Sequence, residues 1–245
     1  MSSQSTDLPR PSGAEIFLAG LRAAWSSVFS LVLIGTYVGI GALAHDYGFS
    51  LWWVVLSTVL IWAGPAQVIL LSALGAGATP LAAALAVGLS GVRLLPMVVS
   101  LLALIKRPGT RARDLILPAH LTAVSMWVEA LRLLPNIPRK QRIVFSNGLG
   151  TGFLAAAQVG GLIGFYLAAS LPALLTAGLL FLTPLSFLIS TARNSKLLVD
   201  RLALVLGLVI GPLLAYEQVG LDVLWTGMIA GSAAYGVQRL RGTSR

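Results

Sequence analysis

The chain has 245 residues, 57% of them hydrophobic and only 10% charged, with a mean hydropathy of +0.88; that is far outside the range of a soluble domain of this length and marks an integral membrane protein. The net charge of +9, from 17 basic and 8 acidic residues, would point to nucleic acid in a soluble protein, but here the charges fall in short loops between apolar runs, so the lipid bilayer is the partner and nucleic acid is not. No cysteine is present, which excludes disulfides and thiolate metal sites, and no metal cluster, phosphate loop or nucleotide motif calls for a cofactor.

In chain order, the first fifteen residues are polar and no cleavage pattern follows them, so no removable signal peptide is expected. Glu15 to Trp25 reads as a weakly amphipathic surface helix leading into the first span. Eight apolar segments follow: Ser26 to Ala44, Leu51 to Leu74, Pro80 to Leu104, Leu115 to Leu134, Ile143 to Ala169, Leu174 to Ile189, Leu202 to Tyr216 and Leu221 to Val237. Since about 20 apolar residues span a bilayer, the expectation is an all-α polytopic bundle of 7–8 transmembrane segments. Its domains are a polar N-terminus with an interfacial helix (1–25), one transmembrane domain (26–238) and a basic tail (239–245). Glycine pairs at four-residue spacing, such as Gly148 with Gly152 and Gly160 with Gly164, suit close helix packing in lipid. Gly207 with Gly211 and Gly227 with Gly231 share that spacing.

The basic residues pose a topological problem. Lys106, Arg107, Arg111 and Arg113 lie in one loop, Arg139, Lys140 and Arg142 in the next, Arg193 and Lys196 in a third, and Arg239, Arg241 and Arg245 at the C-terminus, whereas the loops at 45–50, 75–79, 170–173 and 217–222 carry none. Basic loops favour one side of the membrane. They cannot all share it if every segment crosses once, so either the loop at 105–114 breaks the rule or segments near 62–67 or 115–134 are broken or re-entrant.

The run Trp62-Ala63-Gly64-Pro65-Ala66-Gln67 gives that second option a mechanism. Pro65 leaves the Ile61 carbonyl without its helical partner, Gly64 eases unwinding, and Gln67 brings a polar side chain to the same depth. Such a break holds a polar or zwitterionic solute, or it is a packing kink with Gln67 bonded to a neighbour. Arg93 lies near the middle of the third segment, where an arginine must pair, bind a carboxylate or snorkel. In the fourth segment His120 and Glu129 stand nine residues apart, on opposite faces of a helix, so they form no common local site. Either is a candidate for proton coupling, and Glu129 is also placed to pair with Arg132. A Gly88-Leu89-Ser90-Gly91 motif with His120 resembles fragments of intramembrane serine proteases, but the glycines that follow the histidine there are Leu121-Thr122-Ala123 here.

Three stretches resemble the AzlC-like family, the large subunits of bacterial branched-chain amino acid exporters: Gly35 to Ala44 ("GTYVGIGALA"), Ala63 to Gln67 with the small-residue run after it, and Arg93-Leu94-Leu95-Pro96-Met97 with Ser100-Leu101. The resemblance is specific over residues 20 to 105. It departs from the family where Ala123 and Val124 follow Thr122 instead of acidic residues, and where Gln158 stands for a tryptophan. Membership implies a non-enzymatic exporter in the bacterial inner membrane, working with a small AzlD-like membrane subunit on branched-chain or similar apolar amino acids, with protons as a candidate coupling ion. On this reading Gly64, Pro65, Gln67 and Arg93 bind substrate, while His120, Glu129 and Gln158 serve as coupling or structural polar groups. The competing reading is a structural subunit with no substrate site of its own.

Overall fold

The apolar runs fold into twelve helices in a computed structural model that describes residues 11–170, 172–195, 197–217 and 222–242. In chain order they are α1 (Gly13–Trp25), α2 (Val28–Asp46), α3 (Leu51–Ile61), α4 (Gly64–Gly75), α5 (Pro80–Gly91), α6 (Leu95–Ile105), α7 (Ala112–His120), α8 (Val124–Leu133), α9 (Arg142–Leu167), α10 (Ala173–Asn194), α11 (Leu198–Tyr216) and α12 (Asp222–Gly242). There is no strand among the described residues. Residues 1–10 of the expected polar N-terminus and 243–245 of the expected basic tail lie outside them.

Each expected segment corresponds to helix, and the second and fourth are split in two, as α3/α4 and α7/α8. The third runs from Pro80 to Ile105 through a 3-10 turn at Val92–Leu94 that contains Arg93. α2, the Pro80–Ile105 stretch, α9 and α11 are long and apolar enough to cross a membrane.

The chain forms two compact units, residues 1–185 and 186–245. The first is organised around α9. A Cβ added at Gly160 or Gly164 would overlap the backbone of Ile34 or Val38, and one at Gly148 or Gly152 would meet Phe17 or the Leu21–Ala24 turn. Gly20 and Gly41 answer from the other side, each against α9 backbone. Absent side chains let the backbones touch, the main source of helix association where lipid is as apolar as leucine. The paired numbers rise together, so α1 and α2 lie end to end along α9 and parallel to it.

The two split segments fold back on themselves. In a continuous helix Ser57 and Gln67 would be about 15 Å apart along the axis, yet Gln67 Nε2 donates to Ser57 Oγ at 2.8 Å. Both ends of α3/α4 sit at the C-terminal end of α2: α3 starts just after Tyr47, and Gly75, the last residue of α4, packs against the Tyr47 ring. The tip is half-way down α2, where Gly64 faces Thr36, Tyr37 and Ile40.

α7/α8 is the counterpart at the other end. The buried Arg142 guanidinium donates to Leu104 O at 3.0 Å and Ile137 O at 2.9 Å, which ties the end of α6, the loop after α8 and the start of α9 together. Trp127 Nε1 donates to Ser100 Oγ at 2.8 Å, laying α8 along α6. The tip at Leu121 reaches Gly150, about 12 Å along α9 from Arg142.

Two opposed hairpins answer the topological problem. The loops without lysine or arginine, 47–50 and 76–79, gather at the C-terminal end of α2. The basic loops, 106–111 and 134–141, gather at the opposite end, beside the start of α9.

In the second unit α11 and α12 pack together, with Gly211 in ordinary contact with Thr226. Gly207, Gly227 and Gly231 have no neighbour among the described residues where a Cβ would stand. Their spacing therefore marks no close seam, unlike that of Gly148/Gly152 and Gly160/Gly164.

Candidate functional site: the junction of the hairpin tips

Helix starts differ in how their first N–H groups are met. α1, α2, α3 and α5 begin at a serine or threonine whose oxygen accepts a first-turn N–H. α4 and α8, which start at the two breaks, have alanine in that position, Ala63 and Ala123, and no side-chain cap. Their first helical bonds are Gln67 N to Ala63 O and Trp127 N to Ala123 O. The N–H groups of Gly64 and Ala66, and of Val124, Ser125 and Met126, are thus without a hydrogen bond among the described residues. Pro65 adds none because it has no N–H.

The tips are bonded to each other. Trp62 Nε1 donates to Leu121 O at 2.7 Å, and His120 Nε2 lies 2.8 Å from Val59 O, a carbonyl released by the break in α3. Each hairpin satisfies a backbone group that the other leaves open, the condition for irregular backbone at membrane depth. Past Val59, the Leu60 and Ile61 carbonyls have no helical donor, as Pro65 dictates.

Trp62 has φ 21°, the one positive φ on a non-glycine residue among those described. For a bulky residue this costs on the order of 1–3 kcal/mol. Its indole bond and the stacking of its ring on Tyr37, with centroids 6.4 Å apart, offset that strain.

Gln67 is fully buried and braces the α3/α4 hairpin. Its two amide protons go to Ser57 Oγ and to Thr58 Oγ1 at 2.9 Å. Each hydroxyl passes its own proton to Val54 O, at 3.1 and 2.8 Å. Arg93 is exposed in the turn between α5 and α6 and makes no hydrogen bond or ion pair among the described residues; no bond brings it to Gln67. Glu129 is buried and bonded through both oxygens to Arg132, at 3.0 and 2.5 Å, while the Arg132 side chain is 66% exposed. Gln158 Nε2 donates to Val55 O at 2.9 Å and ties α9 to α3. His120 has no bond to Ser90 among the described residues.

Residue patterns therefore located one tip and missed how it is held. Ser57, Thr58 and Tyr37 carry no signal of their own inside apolar runs. Leu121-Thr122-Ala123 has neither glycine nor proline to announce a break, though Pro118 stands one turn earlier.

Opposed hairpins meeting at uncapped helix starts, within an all-helical bundle, define a polytopic membrane protein. The family model described as AzlC protein matches residues 28–171, more than half of the chain, and this protein belongs to the AzlC family. The match runs from α2 to just past α9 and includes both hairpins. No curated protein and no solved structure matches the chain.

Proposed function

We propose that the protein is the large subunit of a secondary transporter that exports branched-chain or similar apolar amino acids across the bacterial inner membrane. The observation that carries this reading is the tip-to-tip junction. Uncapped N-termini of α4 and α8 offer N–H donors and positive dipole ends to a carboxylate, and the Leu60 and Ile61 carbonyls offer acceptors to an ammonium group. A zwitterion needs both within a few ångströms, and an interrupted helix presents both at one break. Gly64 and Pro65 create the opening. Gln67 holds the two arms of the hairpin in place.

Arg93 supports the second element of the proposal, a small AzlD-like membrane subunit. A charged group exposed on an apolar span is costly in lipid unless something pairs with it, and leucines and valines exposed along Pro80–Ile105 leave the same face open. We place the partner there and Arg93 in its interface. Proton coupling, where the exporter uses it, falls to Glu129, the one buried carboxylate among the described residues.

The test is leucine or valine efflux from preloaded cells with this protein and its small partner, each alone, and neither. Efflux that depends on both chains is expected, and unchanged efflux removes the substrate assignment. One observation favours the structural-subunit reading: the Gln67 amide protons are already committed to Ser57 and Thr58. On that reading the junction variants lower stability with no substrate-dependent effect.

A further inference from the structure

Tyr37 is 1% exposed, and its hydroxyl has no hydrogen-bond partner among the described residues. A buried phenol without a partner gives up hydrogen bonds it would make in water, and native interiors rarely leave one so. Its surroundings indicate what is missing. The ring stacks on Trp62, and its Cε2 edge, next to the hydroxyl-bearing carbon, lies 3.9 Å from where a Gly64 Cβ would be. The ring edge next to the hydroxyl therefore faces the first residue of α4, a twelve-residue helix with no side-chain cap. A methyl group at 64 would stand in ordinary van der Waals contact with Thr36, Tyr37 and Ile40. Donors from two elements thus lack an acceptor among the described residues: the N–H groups of Gly64 and Ala66 from the hairpin, and the phenol from α2.

We infer that the Tyr37 hydroxyl and the N-terminus of α4 form a seat for a carboxylate, the group by which the transporter recognises its solute. Three neutral donors at a dipole's positive end bind an anion without an arginine or lysine, whose fixed charge would hold the solute too tightly to release. This seat recognises the carboxylate, and the amine is left to the Leu60 and Ile61 carbonyls. The aliphatic part of the ligand is left to apolar surroundings, and a 2-oxo or plain aliphatic acid competes with the amino acid. The inference rests on the proposed transport function but is tested separately from it.

The measurement is equilibrium binding to the purified full chain in lipid nanodiscs, with L-leucine, 4-methylpentanoate, which lacks the amine, and L-leucinamide, which lacks the carboxylate. Tyr37→Phe keeps the stacked ring and removes the hydroxyl; Tyr166→Phe removes an exposed hydroxyl as the control. Leucine and 4-methylpentanoate are expected to bind the unmodified chain and the control alike, each at least about tenfold more weakly to Tyr37→Phe, with leucinamide not bound. Leucine binding that Tyr37→Phe leaves unchanged, or leucinamide binding as tight as leucine, overturns the seat while leaving the transport reading in place. Tyr37-dependent binding of 4-methylpentanoate without leucine binding keeps the seat and removes the amino-acid assignment. Binding of neither acid overturns the seat and leaves the transport reading to the efflux measurement. An unchanged melting temperature of Tyr37→Phe shows that any loss is not misfolding.

Discussion

At the scale of single residues, the junction depends on a few polar groups that satisfy backbone opened by a break. Trp62 does most of this: its indole N–H is the donor for Leu121 O, a group buried with the tip of the other hairpin. Trp62→Phe keeps an aromatic ring for Tyr37 to stack on and leaves that carbonyl without a partner, a loss of about 1–3 kcal/mol. A lower melting temperature in detergent and reduced efflux are both expected; an unchanged melting temperature would show that the bond between tips contributes little. Gln67→Leu keeps the volume and removes the bonds to Ser57 and Thr58, at about 1–2 kcal/mol by the measured worth of polar contacts between membrane helices. Glu129→Gln is expected to spare leucine movement down its own gradient and to abolish any acceleration by an imposed proton gradient, read in proteoliposomes holding both subunits.

At the scale of elements, α9 separates glycines that a methyl group would ruin from one that tolerates it. Gly164→Ala drives a Cβ into the backbone of Val38 and should cost on the order of 1–3 kcal/mol. Gly161→Ala, whose Cβ would meet Val54 Cγ1 at 3.5 Å, is expected to leave stability near that of the parent. The hairpins make a sharper prediction. Because the chain has no cysteine, single cysteines report sidedness without background. Asp46→Cys and Ala76→Cys should both label from outside intact cells with a membrane-impermeant maleimide, and Pro108→Cys and Pro138→Cys only after lysis. Labelling that alternates from loop to loop along the chain would mean that α3/α4 and α7/α8 cross the membrane rather than fold back.

At the scale of the whole molecule, the exposed face of Pro80–Ile105 and Arg93 bear on assembly. Arg93→Leu removes a charge that lipid opposes. It should stabilise the chain when purified alone and weaken its co-purification with the small subunit. Loss of stability in the lone chain would instead show that Arg93 has a partner within it.

The amino-acid sequence by itself determined the class of protein and the places where helices start and stop. Runs of apolar residues set the segments, Gly64-Pro65 set one break, and charge in the loops left either an exception at 105–114 or segments that do not cross, because these are local consequences of side-chain solvation and of a missing N–H. Tertiary structure decided that two segments turn back rather than one, that their tips meet, and which glycine pairs are seams. It also decided the fate of the two residues singled out for a common site: Gln67 is closed into the hairpin by Ser57 and Thr58, and Arg93 is left on an open face. The reason is physical. A break frees backbone groups of fixed number and kind, which sequence can count, but the groups that satisfy them, Trp62 for Leu121 and His120 for Val59, come from about sixty residues away, and only the packing of α2 along α9 brings them within reach.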